Sequence, residues 1–166
     1  MTEPVIRPRR DDDLPSCVRA LAGVYESDGY PAYWPTEPKH WLTPTELLGV
    51  WVAANGPEVL GHVALTHSGP VLAAAVGLPE DQLAAVARLF VGVPARRGGL
   101  AGALLERAAQ AAVEGGRRPV LEVESGAAGA IALYERAGWQ FVCTATANWL
   151  TPAGEPAVVH TYLGPA

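Results

Sequence analysis

Between Leu83 and Val93 the chain is apolar at almost every position, with Arg88 as the only charge, and Pro94 closes the run. An unbroken apolar stretch of that length predicts a strand covered on both faces. Ala95-Arg96-Arg97-Gly98-Gly99-Leu100-Ala101-Gly102 follows. Leu100, Leu104, Leu105, Ala108 and Ala111–Ala112 then recur at helical spacing until Gly115–Gly116 stop them. A buried strand, a Gly-rich turn and an amphipathic helix can only be satisfied by a sheet with helices packed against it.

The flanking sequence extends this unit. Val5-Ile6-Arg7-Pro8 is a short strand, and Asp11-Asp12-Asp13 place caps and negative charge at the start of a helix from about Leu14 to Tyr25. That role explains the three aspartates better than a metal cluster does. Residues 26–42 read as a long aromatic loop, and Thr43-Pro44-Thr45-Glu46 has the form of a capping box opening a short helix. Trp51–Ala54 and Val59–Thr66 around Asn55-Gly56 predict a β-hairpin. A short helix is expected near 70–77, a strand over Pro119–Glu124, a helix over Gly129–Arg136 stopped at Gly138, and strands over Trp139–Trp149 and Ala157–Leu163. The order β-α-α-β-β-α-β-α-β-α-β-β predicts one α/β domain over residues 1–166. Its sheet should be mixed and mostly antiparallel, with helices on both faces.

Composition narrows the function. With 166 residues and 49% hydrophobic positions, a full core is expected. The formal net charge of −5 disfavours a nucleic-acid partner. Lys39 is the only lysine, and paired arginines at 9–10, 96–97 and 117–118 offer local sites for a small anion. No run is long enough to span a bilayer, and no apolar signal segment stands at residues 1–8. Cys17 and Cys143 lie far apart in apolar contexts, which suits a reducing, cytoplasmic location. No metal-binding pattern is expected, and the oligomeric state is left open, with a homodimer among the options.

The turn after the buried strand carries the chemistry. Glycines allow close approach of the backbone, and the free N–H groups of a first helical turn converge there. The helix dipole and the guanidinium groups of Arg96 and Arg97 add positive potential, so a phosphate or pyrophosphate fits. The lysine of a GxxxxGK[ST] loop is missing, and so is a GxGxxG. On the turn alone, a packing turn with two solvent-facing arginines is an equal alternative.

Arg96-x-x-Gly99-x-Ala101 resembles the acyl-CoA-binding motif Q/R-x-x-G-x-G/A of the GNAT superfamily of N-acyltransferases. Arg97 stands where relatives often have the first glycine of R-G-x-G-x-G, and Ala101 where they have the last. Ala130-Ile131-Ala132-Leu133-Tyr134-Glu135-Arg136-Ala137-Gly138-Trp139 is similar to the family's A-x-x-L-Y-E-x-x-G-F, with Trp139 for Phe and Ala127 where an Asn is common. Ile6-Arg7-Pro8-Arg9-x-x-Asp12 looks like its first strand and helix.

The resemblance implies transfer of an acetyl group from acetyl-CoA to a primary amine of a small molecule or peptide. A non-catalytic acyl-CoA-binding regulatory domain is the alternative. Arg96, Arg97, Gly98, Gly99, Leu100, Ala101 and Gly102 would hold the pyrophosphate. The backbone of Phe90 to Val93 would line the pantetheine arm, with the Val91 N–H polarising the thioester carbonyl. Tyr134 would protonate the leaving thiolate.

The neutral amine needs a base. Glu122 and Glu124, two apart on a strand and so on one face, are candidates, unless they are merely solvent-facing charges. Glu26, Tyr30, Tyr33 and Trp34 are the expected acceptor-binding residues, with Trp41 and Asp28 beside them; a loop that pins its aromatics onto the core is an equal alternative. His40, His62, His67 and His160 are expected to be structural or surface residues, and Cys143 to fill core.

Overall fold

The computed structural model describes residues 3–166. The chain forms two compact units, Met1–Thr66 with Ala87–Ala108 and His67–Val86 with Ala109–Ala166. Seven strands make a mixed sheet. Their order is β1-β2-β3-β4 in the first unit and β4-β5-β7-β6 in the second, so β4 contributes to both.

In the first unit β1 (Val5–Pro8), β2 (Leu47–Asn55), β3 (Glu58–His67) and β4 (Leu83–Val91) carry the sheet. β1 and β3 both pair antiparallel to β2, with Val52 opposite both Arg7 and His62. Successive residues of a strand point to opposite faces. On one face α1 (Leu14–Asp28) sets Cys17, Leu21 and Val24 against Val52, Ala54, Val59 and Phe90. On the other, the first half of α4 (Leu100–Glu114) meets the sheet at Gly61 and Trp51. A Cβ on Gly61 would stand 2.8 Å from Leu104, which explains a glycine inside a strand.

In the second unit the start of β4 pairs parallel to β5 (Arg118–Glu124), and β7 (Pro156–Leu163) lies antiparallel between β5 and β6 (Gln140–Leu150). Leu163 and Val120 face α3 (Pro70–Val76), while Tyr162, one residue earlier, meets Tyr134 of α5 (Ala128–Arg136) on the opposite face. The expected mixed, mostly antiparallel sheet is therefore present, its parallel pair being β4 with β5, and each unit has helices on both faces of its strands.

Four local readings are corrected. Thr43-Pro44-Thr45-Glu46 opens no helix: the short helix α2 comes earlier, at Pro38–Trp41, and β2 begins at Leu47. The Thr43 hydroxyl accepts from Arg9 Nη2 at 2.7 Å instead of capping, and Glu46 turns the chain with φ 61° into pairing with β1 and β3. Tertiary pairing overrides a local signal here. α1 runs on to Asp28, so Glu26 and Asp28 stand on its last turn rather than in the loop. β4 ends at Val91 rather than Val93: Gly92 still gives its N–H to the Leu60 carbonyl of β3 at 2.7 Å, but Val93–Ala95 tighten into a 3-10 turn. Cys143 is only half-buried on β6, whereas Cys17 is fully enclosed and its thiol is pushed up to about 11 by desolvation.

Candidate active site

The turn between β4 and α4 is built by backbone conformation. Arg97 takes φ 69° and Gly99 φ 77°, two left-handed residues around Gly98. They reverse the chain so that α4 starts at Leu100, and the Ala103 N–H reaches back to the Gly99 carbonyl at 3.1 Å. The N–H groups of Leu100, Ala101 and Gly102 then have no acceptor inside the helix. Around Gly99 a Cβ would meet no atom within 4 Å, so the turn opens on space. Arg96, Arg97, Gly98 and Gly99 are exposed, and Leu100 to Gly102 half-buried.

Exposed donors, two guanidinium groups and a helix N-terminus are the kinds of group that a phosphate or pyrophosphate takes. These residues fit the group that the sequence motif implies. Beside the turn an open cavity of about 560 Å³ is lined by α1, the β2–β3 turn and Gly92–Ala95. Its size is that of a small-ligand site.

The expected lining residues behave unequally. Phe90 and Val91 are buried at the end of β4, 5% and 9% exposed, while Val93 is 40% exposed in the following turn. Between them the Gly92 N–H is engaged by the Leu60 carbonyl.

The acceptor-loop aromatics split as well. Tyr30 packs on the core edge-on to Trp41 at 6.0 Å, and its phenol is pushed up to about 12 by desolvation. Trp34 lies against Tyr25 of α1 at 5.5 Å, and Tyr33 is 56% exposed. Of these, Tyr33, Trp34 and the exposed Glu26 are open to a ligand.

In the second unit, Tyr134 is buried on α5 with its ring against Trp139 and Tyr162. Glu122 and Glu124 project from β5 opposite Thr161 and Val159. Both are exposed, but partial desolvation raises the Glu122 carboxyl above its ordinary value.

Asp13 holds Arg7 through both oxygens, at 2.7 and 2.8 Å, and accepts the Arg10 N–H at 2.7 Å, which depresses its carboxyl. Among the described residues no group of three His, Cys, Asp or Glu could hold a metal ion, and no helix is long and apolar enough to cross a membrane.

Sequence reasoning missed the partners of three residues. His62 is buried, as a structural histidine should be, but no local signal shows that it is the centre of a network with Arg9 and Arg88. Arg96 was read as a phosphate ligand and is paired with Asp28. A charged residue inside an apolar strand was the available signal for Arg88.

Residues 16–139 match the family model described as Acetyltransferase (GNAT) family. A search of curated proteins gave no match. Among solved structures, the chain is similar to an N-acetyltransferase from Staphylococcus aureus Mu50, at 18% identity and TM-score 0.75, over 98% of each chain. It is also similar to the ribosomal-protein-alanine N-acetyltransferase from Brucella melitensis, at 20% identity and TM-score 0.74, over 98% of this chain and 99% of that one. A third is yncA, a putative acetyltransferase from Salmonella typhimurium with its cofactor acetyl-CoA, at 16% identity and TM-score 0.73, over 98% and 93%.

Proposed function

The chain belongs to the acetyltransferase (GNAT) family, and from that premise we propose that it moves the acetyl group of acetyl-CoA onto a primary amine of a small molecule or peptide. The observation that carries this reading is the open turn of Arg96 to Gly102 at the start of α4. Its amides and guanidinium groups would hold the pyrophosphate of acetyl-CoA. Phe90 and Val91 would line the acyl arm. The co-substrate supplies the activated thioester.

The residues divide the chemistry. The Val91 N–H donates to the thioester carbonyl oxygen, where negative charge grows as the amine attacks. Tyr134 gives its phenolic proton to the departing thiolate. A phenol near pKa 10 matches a thiol of roughly 8.5 or somewhat above closely enough for that transfer. Glu122 or Glu124 takes the proton from the amine, directly or through water. Partial desolvation raises the Glu122 carboxyl, which favours proton uptake at that residue. Tyr33, Trp34 and Glu26 contact the acceptor. The whole chain acts as one catalytic domain, and the two free cysteines suit a reducing, cytoplasmic setting.

The test is thiol release from acetyl-CoA over a panel of amines, amino acids, aminoglycosides and peptides. Gly99→Val should fold, since its Cβ meets open space, at a cost of about 1–2 kcal/mol for a left-handed β-branched residue. It should lose most CoA affinity. Tyr134→Phe keeps the ring packing and should lower kcat by about 10²-fold with CoA affinity unchanged. No thiol release with any amine, or full CoA affinity in Gly99→Val, overturns the reading.

A further inference from the structure

One buried polar network in the first unit has no part in the reaction as described. His62 on β3 is 0% exposed, and its ring stacks on Phe90 at 5.3 Å and 10°. Nδ1 lies 2.9 Å from the carbonyl oxygen of Arg88, and Nε2 lies 3.0 Å from Arg9 Nη1. A carbonyl can only accept and a guanidinium can only donate. The tautomer is therefore fixed: Nδ1 carries the proton, Nε2 offers its lone pair, and the ring is neutral. Arg9 is itself held, donating to the Leu42 carbonyl and the Thr43 hydroxyl, each at 2.7 Å.

The carbonyl that His62 grips belongs to an unusual residue. Arg88 takes φ 55° inside β4, a conformation that costs a non-glycine residue about 1–2 kcal/mol. Its side chain is committed elsewhere: Nε donates to the Trp41 carbonyl at 3.0 Å, and the guanidinium lies 4.0 Å from the centre of the Trp41 ring. The kink thus sits between two anchors, one on the side chain and one on the backbone. Immediately after it come Leu89, Phe90 and Val91. The direction in which their N–H groups point depends on the peptide that His62 holds.

We propose that His62, oriented by Arg9, is a positioning residue for acyl transfer: by holding the Arg88 carbonyl it aims the Phe90–Val91 backbone at the thioester. This rests on the reading that acetyl-CoA lies along Phe90 and Val91. Burial obliges both ring nitrogens to find partners, and the partner that Nδ1 takes is the carbonyl at the kink itself. The network also ends on Trp41, Leu42 and Thr43, so the aromatic loop and the kinked strand share one anchor.

Two substitutions separate the two nitrogens. In His62→Asn the side-chain amide reaches the Nδ1 position and keeps the bond to Arg88. In His62→Gln it reaches the Nε2 position, keeping Arg9 and releasing Arg88. At saturating acetyl-CoA, His62→Gln should lower kcat about 10-fold or more, and His62→Asn no more than about threefold, with KM for acetyl-CoA little changed in either. In the ligand-free chain, both variants lose the ring stacked on Phe90, and beyond that common change the amide resonances of Leu89, Phe90 and Val91 should move farther in His62→Gln than in His62→Asn.

Equal kcat loss in both variants, or wild-type kcat in His62→Gln, overturns the proposal. If the wild-type chain releases no thiol, the acetyl-transfer reading fails, and the amide shifts still decide the role of His62: equal shifts in both variants reject it. Should His62→Gln not fold, Arg9→Met at the half-buried end of the network replaces it. Its kcat should fall at least about threefold, and an unchanged kcat rejects the proposal.

Discussion

Arg96 gives both of its terminal nitrogens to Asp28, at 3.1 and 2.5 Å, and so ties the turn before α4 to the last residue of α1. The Arg96 guanidinium holds the Asp28 carboxyl below its usual range. Both side chains are more than a third exposed, so the pair contributes little stability. Its consequence is competition, because the first residue of the motif already has a carboxylate partner.

Asp28→Asn should remove that competitor. An exposed pair is worth about 0.2–1 kcal/mol, so CoA should bind up to about fivefold tighter, with the melting temperature nearly unchanged. Titration calorimetry at low salt measures it. Weaker binding would mean that Asp28 serves to aim Arg96 rather than to compete for it.

Arg97→Gly separates charge from conformation in the turn. At φ 69°, glycine adopts the same backbone without the Cβ penalty. Stability should therefore stay within about 1 kcal/mol of wild type, the relief being offset by glycine's greater freedom when unfolded. CoA affinity should fall and depend less steeply on salt, since one screened charge is gone. A variant with unchanged affinity and salt slope would place the Arg97 side chain outside the phosphate site.

The aromatic loop should divide by residue. Tyr33→Ala should raise KM for the acceptor while leaving CoA affinity and stability alone, because Tyr33 is 56% exposed. Tyr30→Ala should instead destabilise the first unit by about 2–4 kcal/mol, as expected for removing a packed aromatic ring. Denaturant melts and steady-state kinetics on the same two variants test the division. The reverse pattern would move the acceptor contact to Tyr30.

Acid should unfold the protein partly through His62. Burial lowers this histidine from 6.5 to about 4. Between those two values the unfolded chain binds a proton that the folded chain refuses, so stability falls as pH drops from about 6.5 towards 4. The loss is at most about 3 kcal/mol. Asp13 acts in the same direction at lower pH: its depressed carboxyl stabilises the fold above the ordinary aspartate value, and that contribution disappears as pH falls through its folded value. Melts of wild type and His62→Asn from pH 7 to 4 should converge as the pH falls. Parallel curves would remove His62 from the acid response.

What the sequence determined alone was the succession of elements and the Gly-rich turn ahead of α4. Both depend on neighbours along the chain: apolar spacing for α1 and α4, an Asn-Gly reversal for the β2–β3 hairpin, and paired arginines and glycines ahead of Leu100. The strand–helix segment could be read because a strand buried on both faces needs an uninterrupted apolar run. Tertiary structure alone decided the partners. The Thr43 hydroxyl serves Arg9 rather than a helix, Arg96 meets a carboxylate far away in sequence, and His62 finds a carbonyl on a neighbouring strand. Local rules carry no information about such contacts, because a hydrogen-bonding group takes whichever partner the fold brings within about 3 Å. The tautomer of His62 and the kink at Arg88 exist only once β3 and β4 lie side by side.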